Sequence, residues 1–219
     1  MTEDRSPRPD GAARRRRPPL DAAKIVGAAL RIADEEGLEA VSIRRIAAAL
    51  DARPMSIYDH FESKDELLGA MLDEAVADVL APEPLPGEWR EALAMIARRT
   101  YATMLAHPWI VAVSSRGPRY GPNSTATARQ AARAAAGLEL EPAEMWAVVG
   151  TINDYVLGHA LRTTAVPRGD LADMIAADEL AATPELASLP ESLRTRGSVE
   201  RFEAGLEIVL DGVEKRILG

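Results

Sequence analysis

The chain has 219 residues, of which 47% are hydrophobic, so it can build a substantial core and is not a wholly disordered protein. It contains no cysteine and no apolar run of membrane-spanning length, which excludes a disulfide framework, a thiolate metal site and a membrane-spanning helix. The formal net charge is -8, but residues 1–72 hold 12 basic and 13 acidic side chains, so the acidity belongs to the rest of the chain. We expect a cytoplasmic protein whose first third can still present a basic surface.

The first 19 residues have the composition of a disordered segment, with many arginine, proline, glycine and aspartate residues. They contain the basic run Arg14 to Arg17 and no apolar stretch of the kind that a secretory signal requires. We therefore expect a disordered basic arm over residues 1–19, a helical domain over 20–81 and a larger helical domain over 82–219.

Residues 42–68 predict two short helices that are joined by a tight turn. Ser42 is a favourable N-cap, and the apolar side chains behind it recur at intervals of three and four residues, which places on one buried face Ile43, Ile46, Ala47 and Leu50. Asp51 and Ala52 interrupt the pattern, and Pro54 restarts a helix at a position where its missing N–H costs nothing. In this second helix Ile57 and Phe61 face the core, so the exposed side and end carry Pro54, Met55, Ser56, Tyr58 and His60.

A further helix begins after Ser63 and is predicted to continue to about Ala81. Ser63 and Glu66 form a capping box, so Lys64 lies in the first turn, where free N–H groups already favour a phosphate. Two short helices at a sharp corner, with hydroxyl, aromatic and basic side chains outward, are typical of a helix-turn-helix that inserts its second helix into the major groove of DNA. The basic arm is then either a solubilising tail or an extension that contacts the adjacent minor groove or backbone.

After the proline-rich linker 81–87 the sequence predicts helix after helix and no convincing strand. Each candidate is bounded by a polar cap, a proline or a glycine, and the segments are Trp89 to Ala106, Pro108 to Arg116, Ser124 to Gly137, Pro142 to Thr164 and Val199 to Leu218. Residues 165–197 hold three prolines and one weak helix near Leu171 to Ala182, which is typical of a mobile segment. We predict an all-α protein with an N-terminal three-helix helix-turn-helix DNA-binding domain and a larger helical body.

Two helices of that body carry more apolar surface than one contact needs. The helix over Pro142 to Thr164 is apolar around much of its circumference, and the last helix has a stripe formed by Phe202, Leu206, Val209, Leu210 and Val213. We expect both to form a four-helix bundle with the same helices of a second copy. Burial of the stripe within one chain is the alternative. A two-fold dimer would place two recognition helices about 34 Å apart and would read a palindrome.

The sequence Ser56 to Phe61, followed by Ser63 to Leu67, resembles a motif of the TetR (tetracycline repressor) family, and the resemblance extends from about Ala23 to Leu72. It implies base-edge contacts for Arg44, major-groove positions for Pro54, Met55 and Ser56, and phosphate contacts for Tyr58, His60 and Lys64. One departure is Asp51, which stands where the family usually has glycine. Aspartate tolerates a left-handed conformation better than most residues, so we expect the turn to form.

From Trp89 to Thr164 the chain resembles the tetracycline-type C-terminal domain of the same family. The resemblance implies a larger domain that dimerises and encloses a pocket for a small-molecule effector. Where tetracycline responders have two histidines for a drug-bound magnesium, this chain has the apolar Ala112 or Val113 at the first position and Asp154 at the second. We therefore expect no metal, no cofactor and a largely apolar pocket, with the candidate lining Met104, Trp109, Trp146, Asn153 and Leu157.

These features predict a bacterial, ligand-responsive transcriptional regulator that binds a palindromic double-stranded DNA operator as a homodimer, as a repressor that a small molecule releases. An activator with the same parts remains open. A helical enzyme would need a cluster of His107, His159 and Asp154, but the histidines do not have ligand spacing and no catalytic motif is present. A helical adaptor without DNA binding would have lost the DNA-contacting side chains, which are all present.

Overall fold

The computed structural model describes residues 20–114, 121–164 and 199–218. Every regular element within these ranges is a helix, which confirms the predicted all-α class. The predicted disordered arm, the end of the helix predicted to reach Arg116 and the segment 165–197 lie outside the described residues. Among the described helices, none combines the length and the apolarity that a membrane crossing requires.

Residues 20–81, the predicted first helical domain and called the N-terminal module below, form four α-helices. They are α1 (Ala22–Glu36), α2 (Ile43–Ala49), α3 (Pro54–Tyr58) and α4 (Lys64–Val76), with short 3-10 turns at Leu38–Ala40 and Ala77–Val79. The α1 helix begins where the Asp21 side chain accepts a hydrogen bond from the Lys24 N–H at 2.8 Å. The helix predicted to run from Ser63 to about Ala81 corresponds to α4 and the 3-10 turn that follows it. This turn ends just before the proline-rich linker.

The body contains the helices α5 (Trp89–Ala106), α6 (Trp109–Ser114), α7 (Pro122–Ala135), α8 (Pro142–Thr164) and α9 (Val199–Leu218). The predicted bounds of α5, α8 and α9 are those that the structure has. The α7 helix begins before the predicted Ser124 because Pro122 occupies its first turn, where no N–H is needed. One continuous cluster of buried apolar side chains extends from α1 through α9, so the module and the body share a core.

The apolar stripe of α9 is buried inside the chain. Phe202, Leu206 and Leu210 are at most 1% exposed, Val213 is 8% exposed, and Val209 is partly buried against the same core. Their assignment to a dimer interface is therefore corrected, because a stripe that already packs within its own chain is not free to pack against a second copy. The large apolar side chain that the middle of α9 exposes is Ile208, at 71%.

An aromatic cluster formed by Tyr101, Tyr155, His159 and Phe202 packs α9 against α5 and α8. The ring of Phe202 stacks on Tyr101 with a centroid distance of 4.1 Å, and the rings of His159 and Tyr101 make a T-shaped contact with a centroid distance of 5.3 Å. The hydroxyl of Tyr155 donates to the Phe202 carbonyl oxygen at 2.8 Å. Gly205 permits this approach, since a Cβ there would lie 2.3 Å from the Tyr155 hydroxyl oxygen. Outside this cluster, arginines of α5 bind carboxylates of α9: Arg90 binds Glu207, Asp211 and Glu214, and Arg98 binds Glu203.

Candidate nucleic-acid interface and effector cavity

The turn between α2 and α3 is a Schellman motif with aspartate in the left-handed position. The Asp51 N–H donates to the Ala48 carbonyl at 3.2 Å, and the Ala52 N–H donates to the Ala47 carbonyl at 2.8 Å. Asp51 has a φ of 50°, which glycine adopts most easily and aspartate tolerates. The expected turn therefore forms without the glycine, and it sets the corner at which α3 begins.

The α3 helix buries one side and leaves its apolar outer side uncovered. Ile57 is fully buried and Phe61 is 5% exposed, whereas Met55 is 71% exposed and Tyr58 is 48% exposed. Large apolar side chains that stand outward on a helix this short gain nothing from the chain's own core. The structure also exposes Pro54 and His60, with Ser56 at intermediate burial.

Exposed cationic side chains flank α3 in the sequence. Arg44, Arg53 and Lys64 are exposed, and no residue in the described ranges forms an ion pair with them. Arg45 differs from its neighbour Arg44, because its guanidinium binds the Glu36 carboxylate through two nitrogens, with one N–O distance of 3.2 Å. That hydrogen bond lowers the pKa of Glu36 and ties α2 to the end of α1.

The start of α4 has the first bond of the predicted capping box, and the second is made one residue earlier, at the Glu62 N–H instead of the Ser63 N–H. The Ser63 hydroxyl oxygen accepts from the Glu66 N–H at 3.1 Å, and the Glu66 carboxylate accepts from the Glu62 N–H at 2.7 Å. Lys64 therefore lies in the first turn, as the sequence predicts. Arg53, the N-cap residue of α3, was not among the predicted site residues; its position directly before Pro54 is the signal that could have identified it.

A cavity of about 460 Å³ lies within the body and extends to the C-terminal part of α4. Apolar residues of α4, α5, α7 and α8 form most of its wall, and they include Leu72, Val76, Leu93, Ile96, Ala131, Val149 and Val156. Of the candidate lining residues, the structure brings together Met104, Trp146, Asn153 and Leu157. Within the described part of the chain, no group of three or more His, Cys, Asp or Glu residues could hold a metal ion.

Trp109 does not line this cavity, so its assignment to the pocket is corrected. Its indole Nε1 donates to the Asp34 carboxylate at 2.7 Å, and the Nδ1 of His107 lies 2.8 Å from the same oxygen. An indole N–H needs an acceptor when the ring is buried, and the end of α1 supplies it. Asp34 thereby joins the N-terminal module to the start of α6.

A second carboxylate joins the module to α7. Asp73 of α4 is 8% exposed, and its carboxylate accepts from the Ser124 N–H and hydroxyl, both at 2.8 Å, and from the Asn123 N–H at 3.2 Å. It therefore caps the N-terminus of α7 from a different helix. A Cβ on Gly121 would lie 2.2 Å from the Asp73 Cγ, so glycine leaves room for this cap. Sequence reasoning missed Asp73, because an acidic residue within an amphipathic helix gives no sign that it will be buried.

Comparison with known proteins agrees with this architecture. Residues 25–71 match the family model of bacterial regulatory proteins of the tetR family, and residues 81–217 match that of the tetracyclin repressor-like C-terminal domain. The chain is 33% identical to the transcriptional repressor DrrR1 of Streptomyces coeruleorubidus, over 90% of this chain and 78% of that protein.

Solved structures show the same fold. The TetR family protein ActR of Streptomyces coelicolor in complex with (S)-DNPA is 30% identical, with a TM-score of 0.76, over 90% of this chain and 98% of that chain. ActR in complex with actinorhodin is 29% identical, also with a TM-score of 0.76, over 89% and 95% of the two chains. On the strength of both family models and these relatives, the chain belongs to the tetR family of bacterial regulatory proteins.

Proposed function

We propose that this protein is a ligand-responsive transcriptional repressor that binds a palindromic operator in the cytoplasm as a homodimer and leaves it when a small molecule enters the cavity. The observation that carries the proposal is the position of α4. This helix begins just after the exposed recognition helix α3 and ends in the wall of the cavity. Occupancy of the cavity can therefore bias the orientation of the reading head, which is the pair of helices α2 and α3. The naming of DrrR1 as a repressor and the ligand complexes of ActR support the same conclusion.

In this proposal the exposed side chains around α3 divide into two groups. Arg44 reads base edges, and the major groove receives Pro54, Met55 and Ser56. Phosphates are held by Tyr58, His60 and Lys64, and we add Arg53 to this group because it is exposed and unpaired among the described residues. The uncovered Met55 and Tyr58 support the assignment, since DNA would cover surface that the chain itself leaves open.

We expect Arg44→Ala to weaken binding to the specific operator by about 1 to 3 kcal/mol and to relax base preference. The guanidinium is exposed and unpaired among the described residues, so its removal leaves the fold intact and removes a base contact.

Lys64→Ala is expected to lower the affinity for all DNA sequences alike, and to reduce by about one unit the slope of log affinity against log salt concentration. Gel-shift titration at several salt concentrations, on an operator selected from genomic fragments and on random DNA, measures both effects.

The matched control is Arg129→Ala, which removes the same charge from an exposed position on α7. It should leave the affinity for operator and for random DNA unchanged. Equal losses for Arg44→Ala on specific and random DNA would contradict the base-reading role. No loss on either would contradict the proposed interface.

The proposed dimer uses the solvent side of α8 and α9. That side carries small residues at helical spacing, which allow close approach of a second helix pair, together with Ile208; they are Ala147, Thr151 and Gly158 on α8 and Ala204 and Gly212 on α9. A Cβ added at Gly158 or Gly212 would meet nothing within 4 Å, so both face open space in the single chain. A two-fold contact between these faces would pair the two reading heads.

We expect Ile208→Glu to convert the dimer to a monomer, because it would bury a carboxylate without a partner at the centre of the proposed interface. Sedimentation or light scattering measures the mass. Leu105→Glu is the control, since Leu105 is an exposed apolar residue on α5, outside this face. A dimer that persists in Ile208→Glu, or a monomer in Leu105→Glu, would contradict the assignment.

A further inference from the structure

Ionisable side chains do not contribute to the cavity wall among the described residues. The polar residues that line it are all uncharged, namely Thr100, Ser114, Ser124, Thr127 and Asn153. An ionised ligand would lose its hydration on entry and would find no opposite charge in exchange. The cavity therefore favours a neutral molecule.

The hydroxyl groups that α5 and α7 contribute to this wall, those of Thr100, Ser124 and Thr127, each donate their proton to an acceptor of the protein. Thr100 donates to the Ile96 carbonyl at 2.9 Å, Thr127 donates to the Asn123 carbonyl at 3.0 Å, and Ser124 donates to the Asp73 carboxylate at 2.8 Å. Carbonyl and carboxylate oxygens have no proton to give, so each hydroxyl must be the donor in its bond. Each hydroxyl oxygen still has a lone pair with which it can accept a hydrogen bond. The wall formed by α5 and α7 can thus accept hydrogen bonds from a ligand but cannot donate them without losing an internal bond.

We propose that the cavity selects a neutral aromatic ligand that carries hydroxyl donors, and that the hydroxyls of Thr100, Ser124 and Thr127 determine this specificity. The inference rests on the proposed function, whose effector it describes. Trp146 of α8 supports the aromatic class, because its half-exposed ring lines the cavity and offers a flat face for stacking. The volume of about 460 Å³ lies in the range of sites for drug-sized molecules.

The test uses three probes with one carbon skeleton: a trihydroxystilbene, its trimethoxy analogue and a stilbene carboxylate. Isothermal titration calorimetry on the full-length protein without DNA gives the dissociation constant of each. We expect the trihydroxy compound to bind at least about tenfold more tightly than either of the others. In Thr100→Val/Thr127→Val, the preference for hydroxy over methoxy should fall by about threefold to tenfold for each hydrogen bond removed.

The matched control is Thr125→Val on α7. Thr125 donates to the Gly121 carbonyl at 2.9 Å in the same way as Thr127 does to Asn123, but it is exposed and does not line the cavity. The ratio of its dissociation constants for the trimethoxy and the trihydroxy compound should equal that of the unchanged protein. Thermal unfolding of each variant verifies that the fold is retained, and Thr100→Val and Thr127→Val are also measured singly.

An unchanged ratio in the double variant would overturn the proposal, and so would tight binding of the carboxylate or failure of all three probes to bind. Failure of the proposed function gives a different result. If the protein did not bind an operator, the gel shifts would show it, while the calorimetric ratio and its loss in the valine variants would stand.

Discussion

Replacement of Asp73 by alanine is expected to lower the free energy of unfolding by about 3 to 4 kcal/mol. The carboxylate accepts three hydrogen bonds at the N-terminus of α7, and its loss leaves the partly buried N–H groups of Asn123 and Ser124 without an acceptor. Urea denaturation followed by circular dichroism measures the change. Glu74→Ala is the control, because Glu74 is the next residue of α4 and is exposed.

Gly121→Ala examines the same contact from the other helix. The new methyl group would collide with the Asp73 carboxylate, so this variant should also be strongly destabilised when Asp73 is present. In the Asp73→Ala background the carboxylate is absent, so Gly121→Ala should lower the free energy of unfolding much less. Additive losses in the double variant would contradict a direct contact between the two residues.

The Asp73 contact also has a functional consequence under the proposed function. Asp73 belongs to the helix that begins beside the recognition helix, and Ser124, which it holds, lines the cavity. The Asp34 carboxylate, which binds Trp109 and His107, is a second connection between module and body. Displacement of α7 by a ligand would therefore act directly on α4, without a chain of intermediate residues.

Stability is expected to fall by about 2 kcal/mol between pH 7 and pH 5 because of His159. This histidine is 2% exposed, and burial, together with the nearby Arg162 and Arg201, lowers its pKa from 6.5 to about 4. Its Nε2 atom has no hydrogen-bond partner among the described residues. The folded state therefore resists protonation within the aromatic cluster of Tyr101, Tyr155 and Phe202.

The direction follows from proton binding in the two states. Between pH 6.5 and about pH 4, His159 is protonated in the unfolded chain but neutral in the folded chain. The free energy of unfolding therefore has its full value above pH 6.5 and decreases as the pH falls through this interval. His159→Leu removes the titrating group, and the difference between its stability profile and that of the unchanged protein isolates this effect from carboxylate titration. Parallel profiles over pH 7 to 5 would contradict the prediction.

Helix positions were predictable because local chemistry decides them. Polar caps, prolines in the first turn and apolar spacing placed the bounds of α5, α8 and α9, and they located the corner between α2 and α3. The joint register of Ser56 to Lys64 also indicated the family, and the family models confirm it. Membership of a regulatory family likewise confirms the prediction that the chain is not an enzyme.

The partner of each apolar face was not predictable in the same way. The stripe of α9 has one pattern whether it packs on α8 of its own chain or on a second copy, because periodicity reports that a face is buried and not what buries it. The same limit applies to Trp109, whose size suggested a pocket wall but whose N–H binds Asp34. Asp34 and Asp73 belong to helices far in sequence from their partners, so no spacing rule could have paired them.

The sequence by itself determined the helices, the turn at Asp51, the outward side chains of α3 and the family, since all of these depend on residues within a few positions of one another. The tertiary structure alone decided which stripe is core, which hydroxyls border the cavity and which carboxylates connect the reading head to the body. Those features depend on contacts between residues that lie far apart in the sequence, as in the hydrogen bond from the Asn123 N–H to the Asp73 carboxylate, which spans 50 positions. Chain folding sets these contacts, and local propensity does not encode them.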